Sequence, residues 1–177
     1  MQSYQPLYVL PVDIQRDWMA ELHPVPDNSL GAYRLVAARR TEGRGFQGQR
    51  ITALVVDENG IAMPGVPVAF SYSTADQYLL TSDFVWTPPG PYRAFIARTQ
   101  GGGQIDQIQG SGIKEGQAGG VTVYILDPAY PSDVVTGAGM LADHTGLHLT
   151  YQLLRAGVVP LAEWLASIEG RQAELEA

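Results

Sequence analysis

The sequence predicts an all-β protein built as an antiparallel sandwich, and three observations support this fold class. The chain has 20 glycines and 12 prolines among 177 residues. Their combined share of about 18% exceeds the roughly 12% that is typical of average proteins. Charged residues make up 16%, against a typical share of about 25%. Seven or eight short apolar or alternating runs lie between positions 33 and 153, with turn signals roughly every 8–12 residues. This spacing is typical of a sandwich or a barrel.

The chain begins with an extended arm. Pro6 and Pro11 lack an N–H donor, and each disfavours a helical conformation in the residue before it. The apolar residues around them are joined to no neighbouring strand by a turn. The arm therefore needs a groove, either on its own domain or on another copy. The predicted oligomer contacts in the arm are Leu7, Tyr8, Val9 and Leu10.

A short helix is predicted after the arm. Asp13 is suited to the N-cap position, because its carboxylate accepts an N–H of the first turn. Ile14, Trp18 and Leu22 follow at helical spacing on one face, and two prolines end the segment. A strand through residues 18–22 is the alternative. The arm and this helix make up residues 1–32.

The sandwich domain is assigned to residues 33–156. Its clearest strands are Arg50 to Asp57, an apolar run, and Val66 to Tyr72, which alternates large apolar with smaller residues. Alternation indicates one buried face, because successive side chains of a strand point to opposite sides. Asn59-Gly60 predicts a tight hairpin between the two strands, since these residues tolerate positive φ. Further strands are predicted at 33–38, 78–86, 92–98, 121–126, 134–135 and 147–153. The glycine-rich residues 99–120 are predicted to form either a long mobile loop or a loose hairpin whose strands include 105–108.

Residues 157–177 are predicted to form a C-terminal amphipathic helix. Pro160 suits a first helical turn, and apolar residues recur on one face with a seven-residue step from position 161 to 168 and 175. A helix of about 17 residues is marginal on its own, so this face must be buried on the same sandwich or on another subunit. The predicted oligomer contacts in this helix are Leu161, Trp164, Leu165 and Ile168.

The segment Ile51 to Tyr72, ITALVVDENGIAMPGVPVAFSY, resembles the hairpin of bacterial immunoglobulin-like modules of the invasin and intimin type. It shares with them an apolar strand, an Asp-x-x-Gly turn at 57–60 and a Pro-Gly-Val-Pro-Val stretch at 64–68. The sequence PGPYRA at 89–94 is similar to the Gly-x-Tyr edge turn of these modules and of transthyretin-like ones. The resemblance implies an immunoglobulin-like sandwich. It also implies a family of spacers, adhesin stalks, carbohydrate-binding accessories and phage virion decorations.

Few residues of the sequence indicate metal binding or catalysis. His144 and His148 have the spacing of two ligands on one face of a strand, but a mononuclear site needs a third and usually a fourth ligand. His23 is the remaining histidine of the sequence, and Asp133 or Asp143 is an acceptable further ligand. The sequence has no Gly-x-Ser-x-Gly elbow, no phosphate-binding Gly-Lys-Ser/Thr loop and no cysteine. It therefore predicts no catalytic residue, no metal, no cofactor and a protein that is not an enzyme.

Charge and hydropathy restrict the partners. A formal net charge of −7 and a pI near 4.8 argue against nucleic acid as the main partner. No apolar run of the sequence reaches the roughly 20 residues of a membrane span, and the N-terminal residues lack the basic segment of a secretory signal. Neither nucleic acid nor a membrane is therefore an expected partner.

These observations together predict a non-catalytic structural protein. It is expected to form homo-oligomers through its terminal arms, or to decorate a larger particle by binding a capsid or tail protein of a phage virion. The alternative is a carbohydrate-binding module of an extracellular or cell-surface protein. In that case Trp86 and Tyr92 are the possible glycan contacts, because flat aromatic rings stack on apolar sugar faces.

Overall fold

The computed structural model describes residues 7–26, 30–41, 50–71, 79–80, 86–87, 94–108, 112–113, 116–141 and 145–156. Over these ranges the chain forms one short helix, α1 (Val12–Trp18), and thirteen strands. The strands are β1 (Glu21–His23), β2 (Gly31–Thr41), β3 (Arg50–Val56), β4 (Pro67–Ser71), β5 (Leu79–Leu80), β6 (Trp86–Thr87), β7 (Ala94–Arg98), β8 (Gln104–Ile108), β9 (Gly112–Ile113), β10 (Val121–Ile125), β11 (Val134–Ala138), β12 (Met140–Leu141) and β13 (Gly146–Arg155). The predicted all-β class is confirmed.

Two main sheets pack against each other. The first has the order β1-β11-β10-β4-β7 and is antiparallel throughout. The second has the order β2-β13-β3-β8, and in it β13 runs antiparallel to β2 but parallel to β3. Two small pairs accompany them, β5 with β6 and β9 with β12. The mainly antiparallel arrangement agrees with the prediction, and the parallel pair is an addition to it.

The core lies between the two main sheets. In β13 the side chains of Leu147, Leu149, Tyr151 and Leu153 alternate with more exposed ones and are at most 1% exposed. They share one hydrophobic cluster with residues of β10 such as Val123. The Tyr151 hydroxyl donates a hydrogen bond of 3.0 Å to the Val123 carbonyl oxygen. Because this hydroxyl is satisfied, a polar atom is accommodated in the middle of the apolar layer.

The hairpin predicted at Asn59-Gly60 is wrong in its partners, because β3 and β4 belong to different sheets. Asp57 forms the turn instead, since its Oδ1 accepts hydrogen bonds from the backbone N–H groups of Asn59 and Ile61. Gly60 has a φ of +79°, whereas Asn59 is not in the positive region. Only a single bridge links Val56 to Ala62 after this turn. The Pro64-Gly65 turn then leads the chain into the other sheet.

The start and the end of the predicted helix differ from those in the structure. The residue before α1 is Pro11, and no side chain caps the helix, so Asp13 is not an N-cap. Met19 has a φ of 47° in the left-handed region and ends the helix, so Leu22 lies in β1 rather than on a helical face. Ile14 and Trp18 are 1% and 0% exposed. The predicted apolar face is therefore correct for these two residues.

A buried ion pair inside the sandwich also holds the N-terminal segment, through a hydrogen bond from Val25. Asp133 and Arg34, with side chains 1% and 9% exposed, are 2.7 Å apart between Oδ1 and the guanidinium. The Asp133 carboxylate also accepts hydrogen bonds from the backbone N–H groups of Val25 and Leu35, both at 3.1 Å. Burial raises the pKa of Asp133, although Arg34 and these donors oppose the shift. The carboxylate thus ties three separate segments together.

Candidate assembly surface

Helix α1 is fixed to the sandwich by Trp18, whose side chain is 0% exposed. The indole Nε1 donates a hydrogen bond of 3.1 Å to the carbonyl oxygen of Gly139. The guanidinium carbon of Arg40 lies 5.3 Å from the ring centroid, which is within the range of a cation–π contact. The helix therefore cannot leave the sheets without exposing a large ring and freeing a buried carbonyl.

Asp17 provides a second attachment of α1. Its carboxylate accepts hydrogen bonds of 2.5 Å from Arg16 and from Arg40, and its backbone oxygen accepts one from the N–H of Gly116 at 3.0 Å. The hydrogen bond from Arg16, with the positive charges of Arg16 and Arg40, holds the pKa of Asp17 below its ordinary value. The C-terminal end of α1 is thus held by polar contacts as well as by packing.

The described part of the arm packs on its own domain. The Tyr8 hydroxyl accepts a hydrogen bond from the Ala38 N–H at 3.0 Å and donates one to the Ala38 carbonyl at 3.4 Å. Leu10 is 3% exposed and belongs to the main core cluster. Of the four contacts predicted in the arm, Tyr8 and Leu10 therefore lie against this chain's own sheets. Leu7 and Val9 point outward and are 57% and 70% exposed.

Four large apolar side chains are exposed along this anchored segment, and we call them the N-terminal patch: Leu7, Val9, Val12 and Met19. Val12 is 78% exposed and Met19 is 54% exposed. Single exposed apolar residues are common on protein surfaces, but several on one short rigid segment are typical of an interaction site. Sequence reasoning found the first two and missed Val12 and Met19, although the left-handed residue after a short helix is a position that solvent often surrounds.

A groove of about 380 Å³ runs beside this patch. One wall is formed by residues 8–10 of the arm and by Gln15, and the other by residues 20–23, which include β1. β1 is one of the two edge strands of the five-stranded sheet, with β7 at the other edge, and it has β11 as its neighbour. An edge strand exposes backbone groups that are able to pair with another strand.

Two ionisable side chains lie on β1. Glu21 Oε2 is 3.7 Å from His23 Nε2, and their side chains are 71% and 29% exposed. His23 Nε2 also lies 2.9 Å from Thr136 Oγ1. Burial lowers the pKa of His23, and the charge of Glu21 opposes this shift. Neither residue is singled out by the sequence as part of a surface, because a three-residue strand is too short to show a period.

The close approach of β11 to the segment just before β1 requires a glycine. Gly137 of β11 has a φ of +76°, and a Cβ at this position would lie 2.8 Å from the Met19 carbonyl oxygen. The backbones of β11 and of the segment between α1 and β1 therefore approach more closely than any side chain permits.

Among the remaining predicted site residues, the structure describes the side chain of His148 and the backbone of Trp86. His148 Nδ1 lies 2.5 Å from Thr52 Oγ1, and His144 lies outside the described residues. Within the described ranges no group of three or more His, Cys, Asp or Glu side chains is placed to hold a metal ion. The backbone of Trp86 is in β6, but its side chain is not described. Tyr92 and the four helix contacts Leu161, Trp164, Leu165 and Ile168 also lie outside the described part.

Comparison with known proteins found no relative of this chain. The chain matches no protein-family model, no curated protein and no solved structure among those with which it was compared. Among the described residues there is also no helix with the length and hydrophobicity needed to cross a bilayer.

Proposed function

We propose that this protein is a non-catalytic structural protein that assembles with copies of itself or onto a larger particle, and that the particle is a phage virion. The observation that carries the proposal is the N-terminal patch. Its four side chains are more than half exposed, while the segment that bears them is held by Trp18, Asp17 and Leu10. A surface of this kind fits a protein partner.

The rigidity of the segment supports binding. Association costs free energy when loops and side chains become ordered at an interface, and a surface that is already ordered avoids part of this cost. The attachments of Trp18 and Asp17 hold Val12 and Met19 at the two ends of α1, and Leu10 holds Val9. The low share of charged residues, 16%, is consistent with a surface that a partner covers in part.

The virion and the finer fold assignment rest on the sequence resemblance at residues 51–72. We propose an immunoglobulin-like sandwich of the kind that also decorates phage particles, with capsid or tail protein as the larger partner. A turn built on Asp57 and Gly60 is present in the structure, which agrees with the Asp-x-x-Gly element of the resemblance. The glycan-binding alternative depends on Trp86 and Tyr92, and no structural observation favours it.

Sedimentation velocity of the full chain over a wide concentration range tests the proposal. We expect the wild-type chain to self-associate, and we expect Val9→Ser and Met19→Asn to weaken the association. Asn suits position 19 because it tolerates the left-handed conformation. Ile61→Ser is the matched control, since Ile61 is 64% exposed on the turn after β3, away from the patch in sequence.

Two results would contradict this assignment. One is a wild-type chain that stays monomeric at the highest concentration and does not bind purified virion proteins. The other is an Ile61→Ser variant that loses association as strongly as Val9→Ser does. Thermal unfolding of each variant shows whether the fold is intact, because exposed substitutions are expected to change stability by no more than about 0.5 kcal/mol.

A further inference from the structure

We propose that the C-terminal segment of one copy, residues 157–177, binds the outward side of α1 on a second copy. This inference rests on the proposed self-assembly and names the partner that the N-terminal patch receives. The sequence predicts an amphipathic helix for the segment, with an apolar face that must be buried on its own sandwich or on another subunit. The position at which the segment leaves the sandwich favours another subunit.

The outward side of α1 is a stripe of exposed side chains. The helix buries three residues against the sheets, Ile14, Asp17 and Trp18. Val12 and Met19 lie on the other side, seven positions apart, and are 78% and 54% exposed. Residues seven apart share one face of a helix and lie about 10.5 Å apart along its axis. Arg16 lies between them, and its side chain is 69% exposed.

The apolar residues of the C-terminal segment have the same spacing. They recur at positions 161, 168 and 175, which is a step of seven. Helices with apolar residues at this step pack along each other, because the side chains of one fit between those of the other over successive turns. Val12 and Met19 provide two such positions, and Leu7 and Val9 add exposed apolar side chains before the helix. The patch and the segment therefore match in hydrophobicity and in spacing.

The charges of the two surfaces are opposite. The C-terminal segment has four glutamates and one arginine, which gives a formal charge of −3. At the C-terminal end of α1, Arg16 and Arg40 share the buried carboxylate of Asp17, so one positive charge is in excess there. Asp13 lies to one side of the stripe, in the first turn of the helix. An acidic helix is thus attracted to the Arg16 end of the stripe.

The C-terminal segment leaves the sandwich far from α1. Arg40 contacts α1 through Asp17 and is paired with Leu147, near the start of β13. Arg155 lies at the other end of β13, beside the start of β2. A strand rises about 3.3 Å per residue, so the eight steps from Leu147 to Arg155 span about 26 Å. The segment therefore begins at the end of the sandwich opposite to the C-terminal end of α1.

This separation limits what the segment can reach in its own chain. The five steps from Ala156 to Leu161 span at most about 17 Å when they are fully extended. Leu161 thus falls short of the C-terminal end of its own α1 by about 9 Å, even along a straight path. Within one chain, only the later residues of the apolar face would come near this end of α1. A second copy has no such limit and receives the whole face.

A contact of this kind joins two different surfaces, and each copy gives one segment and receives one. Such a heterologous contact repeats from copy to copy and either closes into a ring or continues as a row. Both arrangements suit a protein that covers a larger particle.

Paired substitutions in the full-length chain test whether the two surfaces meet. Val12→Ser and Leu161→Ser are each expected to weaken self-association about tenfold. The double variant is expected to lose much less than the hundredfold of two independent contacts, because both changes remove the same contact. Ile61→Ser is the matched control, and combined with Leu161→Ser it should add no further loss. Sedimentation velocity measures association, and thermal unfolding shows whether each variant is folded.

Cross-linking tests the same contact without weakening it. The chain contains no cysteine, so Met19→Cys and Leu161→Cys each introduce a single thiol. A bis-maleimide with a short flexible spacer is expected to join the two variants in an equimolar mixture. It should not join Ile61→Cys to Leu161→Cys, because Ile61 follows the Glu58 turn that Arg155 contacts, at the end opposite to α1.

A chain with both Met19→Cys and Leu161→Cys separates the two ways of burying the segment. Alone, it is expected to give a ladder of covalent oligomers. Diluted with excess wild-type chain, it is expected to give no internal cross-link, which digestion and mass spectrometry detect. An internal cross-link under dilution would place the segment on its own α1 and overturn the inference.

The other outcomes separate this inference from the proposed function. If folded Leu161→Ser associates like the wild type, or if the mixed single-cysteine chains do not cross-link, the C-terminal segment is not the partner of α1. If Val9→Ser still weakens association in that case, self-assembly through the patch stands without it. A wild-type chain that is monomeric at every concentration overturns the inference and leaves only assembly onto a larger particle, which binding to virion proteins then decides.

Discussion

Trp18→Ala is the substitution that most directly tests how the N-terminal segment is held. The side chain is 0% exposed and belongs to the main core cluster. Its removal leaves a cavity between α1 and the sheets and deprives the Gly139 carbonyl of its indole donor. It also removes the ring that Arg40 contacts. Three separate contributions to the free energy of unfolding are therefore lost together.

The expected loss is about 4 kcal/mol. Truncation of a buried Phe or Trp to Ala costs about 3–5 kcal/mol, a range that includes the cavity. We count within this range the lost hydrogen bond, about 1 kcal/mol, and the cation–π contact, about 0.5 kcal/mol because the Arg40 side chain is 32% exposed. For a domain of this size 1 kcal/mol corresponds to roughly 2–4 °C in Tm, so we expect Tm to fall by about 8–16 °C.

Urea unfolding followed by far-UV circular dichroism measures the change. We expect the midpoint to fall while the slope of the transition stays the same, because the surface exposed on unfolding is nearly unchanged. Trp18→Phe retains most of the ring and is the graded control, with an expected loss of about 1–2 kcal/mol. A Trp18→Ala midpoint within experimental error of the wild type would refute the claim that α1 is anchored by this residue.

Three further predictions concern single contacts. Asp133→Asn is expected to lower the free energy of unfolding by about 3–5 kcal/mol, because it removes the negative partner of a buried ion pair. Thermal unfolding measures this, and an unchanged Tm would contradict it. Gly137→Ala is expected to destabilise the fold and to shift β1, since the added Cβ meets the Met19 carbonyl oxygen; a Tm equal to that of the wild type would exclude this close approach. The pKa of Asp17 is lowered in the folded chain, so its contribution to stability is complete above the pKa of an aspartate in the unfolded chain, about 3.9, and is lost as the pH falls through the lower folded value. The difference in Tm between wild type and Asp17→Asn should therefore shrink in acid, and a constant difference would contradict the shift.

The alternating pattern identified strands correctly where one face is buried and the other is not. Residues 147–153 alternate in this way, and β13 buries its apolar members almost completely. The pattern does not identify which strands pair with each other, as the apolar runs at 50–57 and 66–72 show. Alternation reports which side chains face a core, but both sheets of a sandwich face the same core. The assignment of β3 and β4 to one hairpin therefore had no local signal to correct it.

The candidate site was predictable only in part for a similar physical reason. An extended apolar arm that needs a groove follows from its sequence. Which of its residues point inward depends on Ala38, thirty residues away. The ion pairs that fix the segment join Asp17 to Arg40 and Asp133 to Arg34, across 23 and 99 positions of the chain. Each partner alone looks like a solvated surface charge, and only the folded chain shows that the carboxylates are buried.

The same contacts explain how the arm covers one edge of the sandwich. An edge strand with unpaired backbone groups is a hazard that proteins cover or use. Tyr8 covers the β2 edge at Ala38, and it is able to do so because Leu10 and Trp18 fix the arm and α1 on the sheets. That placement leaves Leu7 and Val9 exposed, and Val9 lines the groove along β1. The arm therefore blocks one edge of the sandwich and, by the same packing, keeps apolar side chains exposed for a partner.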